Sequence, residues 1–146
     1  VTDPHFRRQD QVVKHDPPNS HGDCFRTTIA NLLGLPIDDV PHFLHDGCEM
    51  AVANQRLNGF LRPYGLAFIA MEMDQAFSDL IGLEGLWHEG NGETERGTYH
   101  AAAFRDGELR HDPHPSHAGF TNVSNARGMF VALRPWELVG GKAASK

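Results

Sequence analysis

The clearest hydrophobic period in the chain begins at Phe25. At about 100° per residue, Phe25, Ile29, Leu32 and Leu33 share one arc of a helix, while Cys24, Thr27, Thr28 and Asn31 fall on another. Gly22 permits a tight turn before it, Asp23 or Ser20 can cap its first N–H groups, and Gly34 with Pro36 ends it. Ile37, Val40 and Phe43 then suggest a short turn packed on this helix. A second helix is predicted from about Glu49 to Leu61, with Ala51, Leu57, Phe60 and Leu61 inward and Pro63 and Gly65 stopping it.

Strand segments follow, marked by apolar content more than by alternation. Leu66 to Met73 reads as a strand buried on both faces, and Asp74 to Gly82 as one short helix. Leu83 to Trp87 is the next strand candidate, followed by a Gly-rich loop, Glu89 to Glu93. Thr98 to Phe104 and Glu108 to Asp112 flank Arg105-Asp106-Gly107, a strong hairpin signal, and Gly128 to Arg134 supplies a further sheet segment. Residues 1–19 mix charge and proline and predict an irregular arm with at most a short Gln11-Val12-Val13 strand, and 140–146 predict a flexible tail. Without repeats or a dividing linker, the expectation is a single α+β domain over 1–146, helices first and an antiparallel sheet afterwards.

Charge and cysteine content narrow the function. A formal charge of −6 argues against a phosphate-binding surface, and Arg7-Arg8 is too small a basic patch to reverse it, so no nucleic acid partner is expected. Cys24 and Cys48 form no disulfide framework and no CxxC pair, and neither a leader nor a long apolar run is visible. A soluble, cytoplasmic protein with no membrane partner is the expectation.

The chemistry starts with Cys24. At a helix N-terminus the unsatisfied N–H groups and the positive dipole end favour a thiolate, and an inert cysteine would sit more naturally among Phe25, Ile29 and Leu32. With His100 and Asp112 on adjacent predicted strands, Cys24 can attack a carbonyl carbon, His100 can take and return the proton, and Asp112 can hold the imidazole tautomer. Metal is the rival reading of the histidines. However, His42-x-x-His45-x-x-Cys48 needs a continuous helix through Asp46-Gly47, and His111-x-x-His114-x-x-His117 is interrupted by Pro113 and Pro115, so neither spacing predicts a metal site. Trp87, beside His88, is a candidate for the border of a substrate cleft.

The run Gly22-Asp23-Cys24 through Leu33-Gly34-Leu35-Pro36, then Val40-Pro41-His42-Phe43, and finally His100, Asp106-Gly107 and His111-Asp112-Pro113 resembles small papain-like proteins of bacteria and bacteriophages. More distantly, it resembles the bacteriocin-processing papain-like peptidases. The resemblance covers about residues 20–45 and 98–120. It implies a papain-like fold, Cys24, His100 and Asp112 as the catalytic set, a peptide or protein substrate, hydrolysis of a peptide or isopeptide bond, and no cofactor. Acyl transfer or deamidation would use the same residues. Those peptidases carry a glutamine six residues before the cysteine, where this chain has Pro18. The oxyanion donor beside the Cys24 N–H is therefore sought at Asn19, Ser20 or Gln11, and a binding or inhibitory module that lacks turnover is the alternative.

Hairpin geometry sets a condition on this chemistry. A two-residue Asp106-Gly107 loop pairs Phe104 with Leu109 but Ala101 with Asp112, turning Asp112 away from His100. A three-residue loop pairs His100 with Asp112. The catalytic reading requires the three-residue loop or a compensating bulge before Pro113.

Overall fold

The computed structural model describes residues 5–144. Helix α1 spans Cys24–Leu33, α2 Met50–Leu61, α3 Gln75–Leu80 and α4 Pro135–Ala144, and the strands are β1 Leu66–Glu72, β2 Trp87–Glu93, β3 Tyr99–Arg105, β4 Glu108–His111 and β5 Asn122–Ala132. The strands form one sheet in the order β1-β5-β2-β3-β4, with every neighbouring pair antiparallel. The fold is α+β, with the Cys-bearing helix packed on the sheet. No helix among the described residues is long and apolar enough to cross a membrane.

The core fills the space between α1, α2 and the sheet. Phe25, Ile29 and Ala30 of α1 meet Ala53, Leu57 and Leu61 of α2, together with Val40, Phe43, Phe68 and Ala101. The Phe25 ring packs edge-on against both Phe43 and Phe68, at centroid distances of 6.2 and 5.9 Å. The inner line of α2 is Ala53-Leu57-Leu61, while Ala51 is exposed. Steps of four residues keep a face of a helix, whereas the step of six from Ala51 to Leu57 does not.

The polar arc of α1 is buried as well: Thr27, Thr28 and Asn31 have no exposed surface. The N-terminal arm covers this side, irregular as expected but closely tied down. Arg7 N–H donates to Asn31 O, the Gln9 amide donates to Asn31 Oδ1 and Leu35 O, and Gln11 N–H donates to Pro113 O. Buried polar groups need such partners, and the arm's own backbone and amides supply them.

Four further expectations are corrected. β1 is an edge strand with Phe68 buried and residues 69–72 exposed, not a strand buried on both faces. Glu89–Glu93 is not a Gly-rich loop but part of β2, a central strand between β5 and β3. Its glycines are sites of close approach: a Cβ on Gly90 would lie 2.4 Å from the Phe104 ring, and one on Gly92 would lie 2.1 Å from Asn122 O. The segment 83–86 precedes the strand instead of forming it. At the C-terminus, 140–144 belong to α4, where a flexible tail was expected, and 145–146 lie outside the described residues.

These glycine environments predict opposite outcomes for one substitution. Gly92→Ala overpacks the sheet and should destabilise by about 1–3 kcal/mol. Gly59→Ala, in α2 with nothing within 4 Å of the added methyl, should stabilise by about 0.4–1 kcal/mol. Urea denaturation of the two variants measures both, and a destabilised Gly59→Ala would contradict the packing of α2.

Candidate active site

Asp23 occupies the capping position of α1, yet its side chain does not cap the helix. Its carboxylate is fully buried and turns back to the arm, where Oδ1 accepts from the N–H groups of Val12 and Val13 at 3.1 and 2.9 Å. The Ser20 hydroxyl donates to Lys14 O at 2.6 Å. Both residues expected to cap the helix instead shape the loop leading into it. Asp23 therefore leaves the first-turn N–H groups beside Cys24 uncapped, the position at which a helix can bind an anion.

Cys24 is half-buried and unpaired, as is Cys48. Its side chain lines one cleft with His100, which is 5% exposed near the start of β3, and lies near enough to help raise the imidazole pKa. The other side of the imidazole meets Asp112, Nε2 to Oδ1, at 2.6 Å. With Nε2 committed to Asp112, Nδ1 is the ring nitrogen left for the sulfur.

The hairpin resolves the conflict between hydrophobic pairing and chemistry by satisfying both. Asp106 and Gly107 form a two-residue turn with positive φ at both positions, 50° and 78°, so Arg105 pairs with Glu108 and Phe104 with Leu109. The three-residue loop is not formed. Ala103 then pairs with His111, which leaves Arg110 as the extra residue of a bulge. Continued by one residue, the shifted register sets Asp112 opposite Ala102, on the face of His100.

Electrostatics follow from this placement. Burial alone would push the imidazolium pKa down. The Asp112 hydrogen bond, the Cys24 hydrogen bond and the charges of both groups override it and raise His100 to about 9. Burial would likewise push the Asp112 carboxyl up, but the hydrogen bonds from His100, His114 N–H and Gly119 N–H, with the His100 charge, lower it to about 2. The backbone bonds, at 2.9 and 2.7 Å, bind both carboxylate oxygens to the loop after β4. At neutral pH the arrangement holds an imidazolium between a carboxylate and a sulfur.

Cys24 and His100 open onto a cleft of about 820 Å³ walled by arm residues Gln11 to His15, by Leu44, Gly47 and Cys48, and by Arg96, Tyr99 and His114. Of the oxyanion candidates, Gln11 lines this cleft. Its amide donates to Val13 O at 3.1 Å, and its Oε1 is buried without a partner among the described residues. Asn19 is taken up by Asp16 Oδ2 at 3.5 Å and Ser20 by Lys14, and neither lines the cleft. Trp87 lies at the far end of the sheet's β2–β3 ladder, opposite Arg105, where Phe6 of the arm stacks on it at 4.6 Å. His114 and Gly119 were missed in the sequence because they act through their backbone N–H groups, which no side-chain pattern reports. No family model, curated protein or solved structure matches the chain.

The charge of His100 has a measurable signature. Its folded value lies above the ordinary 6.5, so its contribution to stability is complete below about pH 6.5 and is lost as pH rises through about 9. An NMR titration should find His100 still protonated at pH 7.5. In Asp112→Asn the midpoint should fall by at least about one unit, and deletion of Arg110, which removes the bulge, should lower it similarly. A wild-type midpoint near 6.5 would refute the pairing.

Proposed function

We propose that the protein is a papain-like thiol hydrolase that cleaves an amide bond, in a peptide or isopeptide, through Cys24, His100 and Asp112. The observation that carries this reading is the convergence of the three side chains from α1, β3 and the end of β4, with the imidazole bonded at 2.6 Å to a buried carboxylate and the cysteine lining the same cleft. Each element supplies one function of nucleophilic catalysis.

The Cys24 thiolate attacks the carbonyl carbon, and the displaced electron pair moves onto the carbonyl oxygen. The Cys24 N–H stabilises that oxygen, and the Gln11 carboxamide at the cleft wall is the side-chain candidate for a second donor. As the C–N bond breaks, His100 delivers its proton to the leaving nitrogen, leaving a thioester on Cys24 and a neutral imidazole. Water then loses a proton to His100 and attacks the thioester carbonyl, and the thiolate departs from the carboxylic acid product. Asp112 keeps Nε2 engaged so that Nδ1 faces the reaction throughout. An amine in place of water would give acyl transfer by the same steps.

An active-site-directed peptide electrophile tests this with intact-mass readout. One adduct on Cys24 is expected near pH 6. Cys48, whose thiol burial pushes up, should remain unmodified. His100→Ala should slow labelling by about 10²-fold or more. A screen of amides and esters should then yield an acyl adduct or turnover in the wild type and none in Cys24→Ala. Equal labelling of both cysteines, unaffected by His100→Ala, would end the proposal.

A further inference from the structure

The bulge that aims Asp112 at His100 aims the preceding residue, His111, at the arm. There its Nε2 lies 3.1 Å from Asp10 Oδ1 and 3.0 Å from Gln9 O. His117 reaches the same carboxylate oxygen from the loop after β4, with Nε2 at 2.9 Å. His117 has a left-handed backbone, φ 51°, a conformation an L side chain adopts at a cost, and its N–H bonds His114 O at 2.8 Å. Two imidazole nitrogens and one carboxylate oxygen thus converge from three separate segments, all within 4.8 Å of one another.

We propose that Asp10, His111 and His117 form a binding site for a divalent first-row transition ion of the zinc type, distinct from the Cys24 cleft. An ion bound at about 2.0–2.2 Å to nitrogen and carboxylate oxygen spaces its ligand atoms by about 3–3.5 Å, and the two histidine-to-carboxylate distances already match. The ligand set selects the metal: imidazole with one carboxylate suits zinc, cobalt or nickel, whereas magnesium and calcium prefer an all-oxygen shell. Asp10 and His117 are open to solvent and His111 is half-buried, so an ion can enter and retain water at its remaining positions. His114, the middle histidine of the spacing, turns away and bonds Ser116 Oγ through Nδ1 at 2.7 Å. The arm's carboxylate takes the third place instead.

Occupancy would pin the arm at residue 10 to the loop whose His114 and Gly119 N–H groups hold Asp112. The ion would act as a clip beside the catalytic groups without touching the reacting atoms. Metal binding to the native state then raises the melting temperature by mass action.

Protein stripped with chelator and titrated with Co2+ and Zn2+ tests the site. Expected are one ion per chain, a visible cobalt d–d band without a thiolate charge-transfer band, and a raised melting temperature. Magnesium and calcium at equal concentration should not compete. His117→Ala and Asp10→Asn should each weaken binding by about tenfold or more, while Cys24→Ser/Cys48→Ser should bind as the wild type. Both ligand residues replaced are exposed, and an unchanged melting curve of each metal-free variant shows that it folds. Absence of saturable binding, survival of full affinity in His117→Ala, or loss of binding with the cysteines would overturn the proposal.

Discussion

Asp112 is 3% exposed, and a carboxylate buried to that degree is tolerable only with its oxygens satisfied. His100, His114 N–H and Gly119 N–H satisfy them, and meeting that demand shapes much of the surrounding chain. The loop after β4 folds back so that two of its amides reach the carboxylate. His100 is held as an imidazolium because a negative charge lies 2.6 Å from its ring. Removing one partner of such a pair costs about 3–5 kcal/mol, more than most single contacts contribute, because the other charge remains buried.

Arg110 makes this contact possible with one additional residue. A hairpin of regular register would satisfy the Asp106-Gly107 turn and the Phe104–Leu109 contact while directing Asp112 to the wrong face. The bulge separates the two requirements: turn chemistry governs the tip of the hairpin, and the shifted register governs its base. Alternation then sends His111 the other way, to Asp10 and Gln9 of the arm. The carboxylate–imidazole pair and the anchoring of the arm are consequences of the same local irregularity.

The arm completes the site from the opposite direction. It uses the Asp23 carboxylate, which would otherwise cap α1, to bind the N–H groups of Val12 and Val13. This places Gln11 to His15 along the cleft and leaves the first turn of α1 without a capping bond from Asp23. Stability given up at the cap, of order 1 kcal/mol, is offset by hydrogen bonds that hold a long irregular segment in place.

The sequence by itself determined the elements whose causes are local. The 3.6-residue period and the Gly34 stop defined α1 with Cys24 at its start, and the apolar run 66–73 and the Asp-Gly dipeptide defined β1 and the β3–β4 turn. The order cysteine, histidine, aspartate was also legible, because residue types and their sequence positions need no contacts to be read. What tertiary structure alone decided depends on partners distant in sequence. Glu89–Glu93 is a strand because Gly90 and Gly92 fit against Phe104 and Asn122, although its composition resembles a loop. The polar arc of α1 is buried because Gln9 and the arm cover it. Ala53 rather than Ala51 faces the core because the neighbouring elements choose which arc of α2 is inward. The bulge at Arg110 leaves no mark in composition, since its cause is the balance between a hydrophobic pair near the turn and a buried carboxylate at the other end of β4.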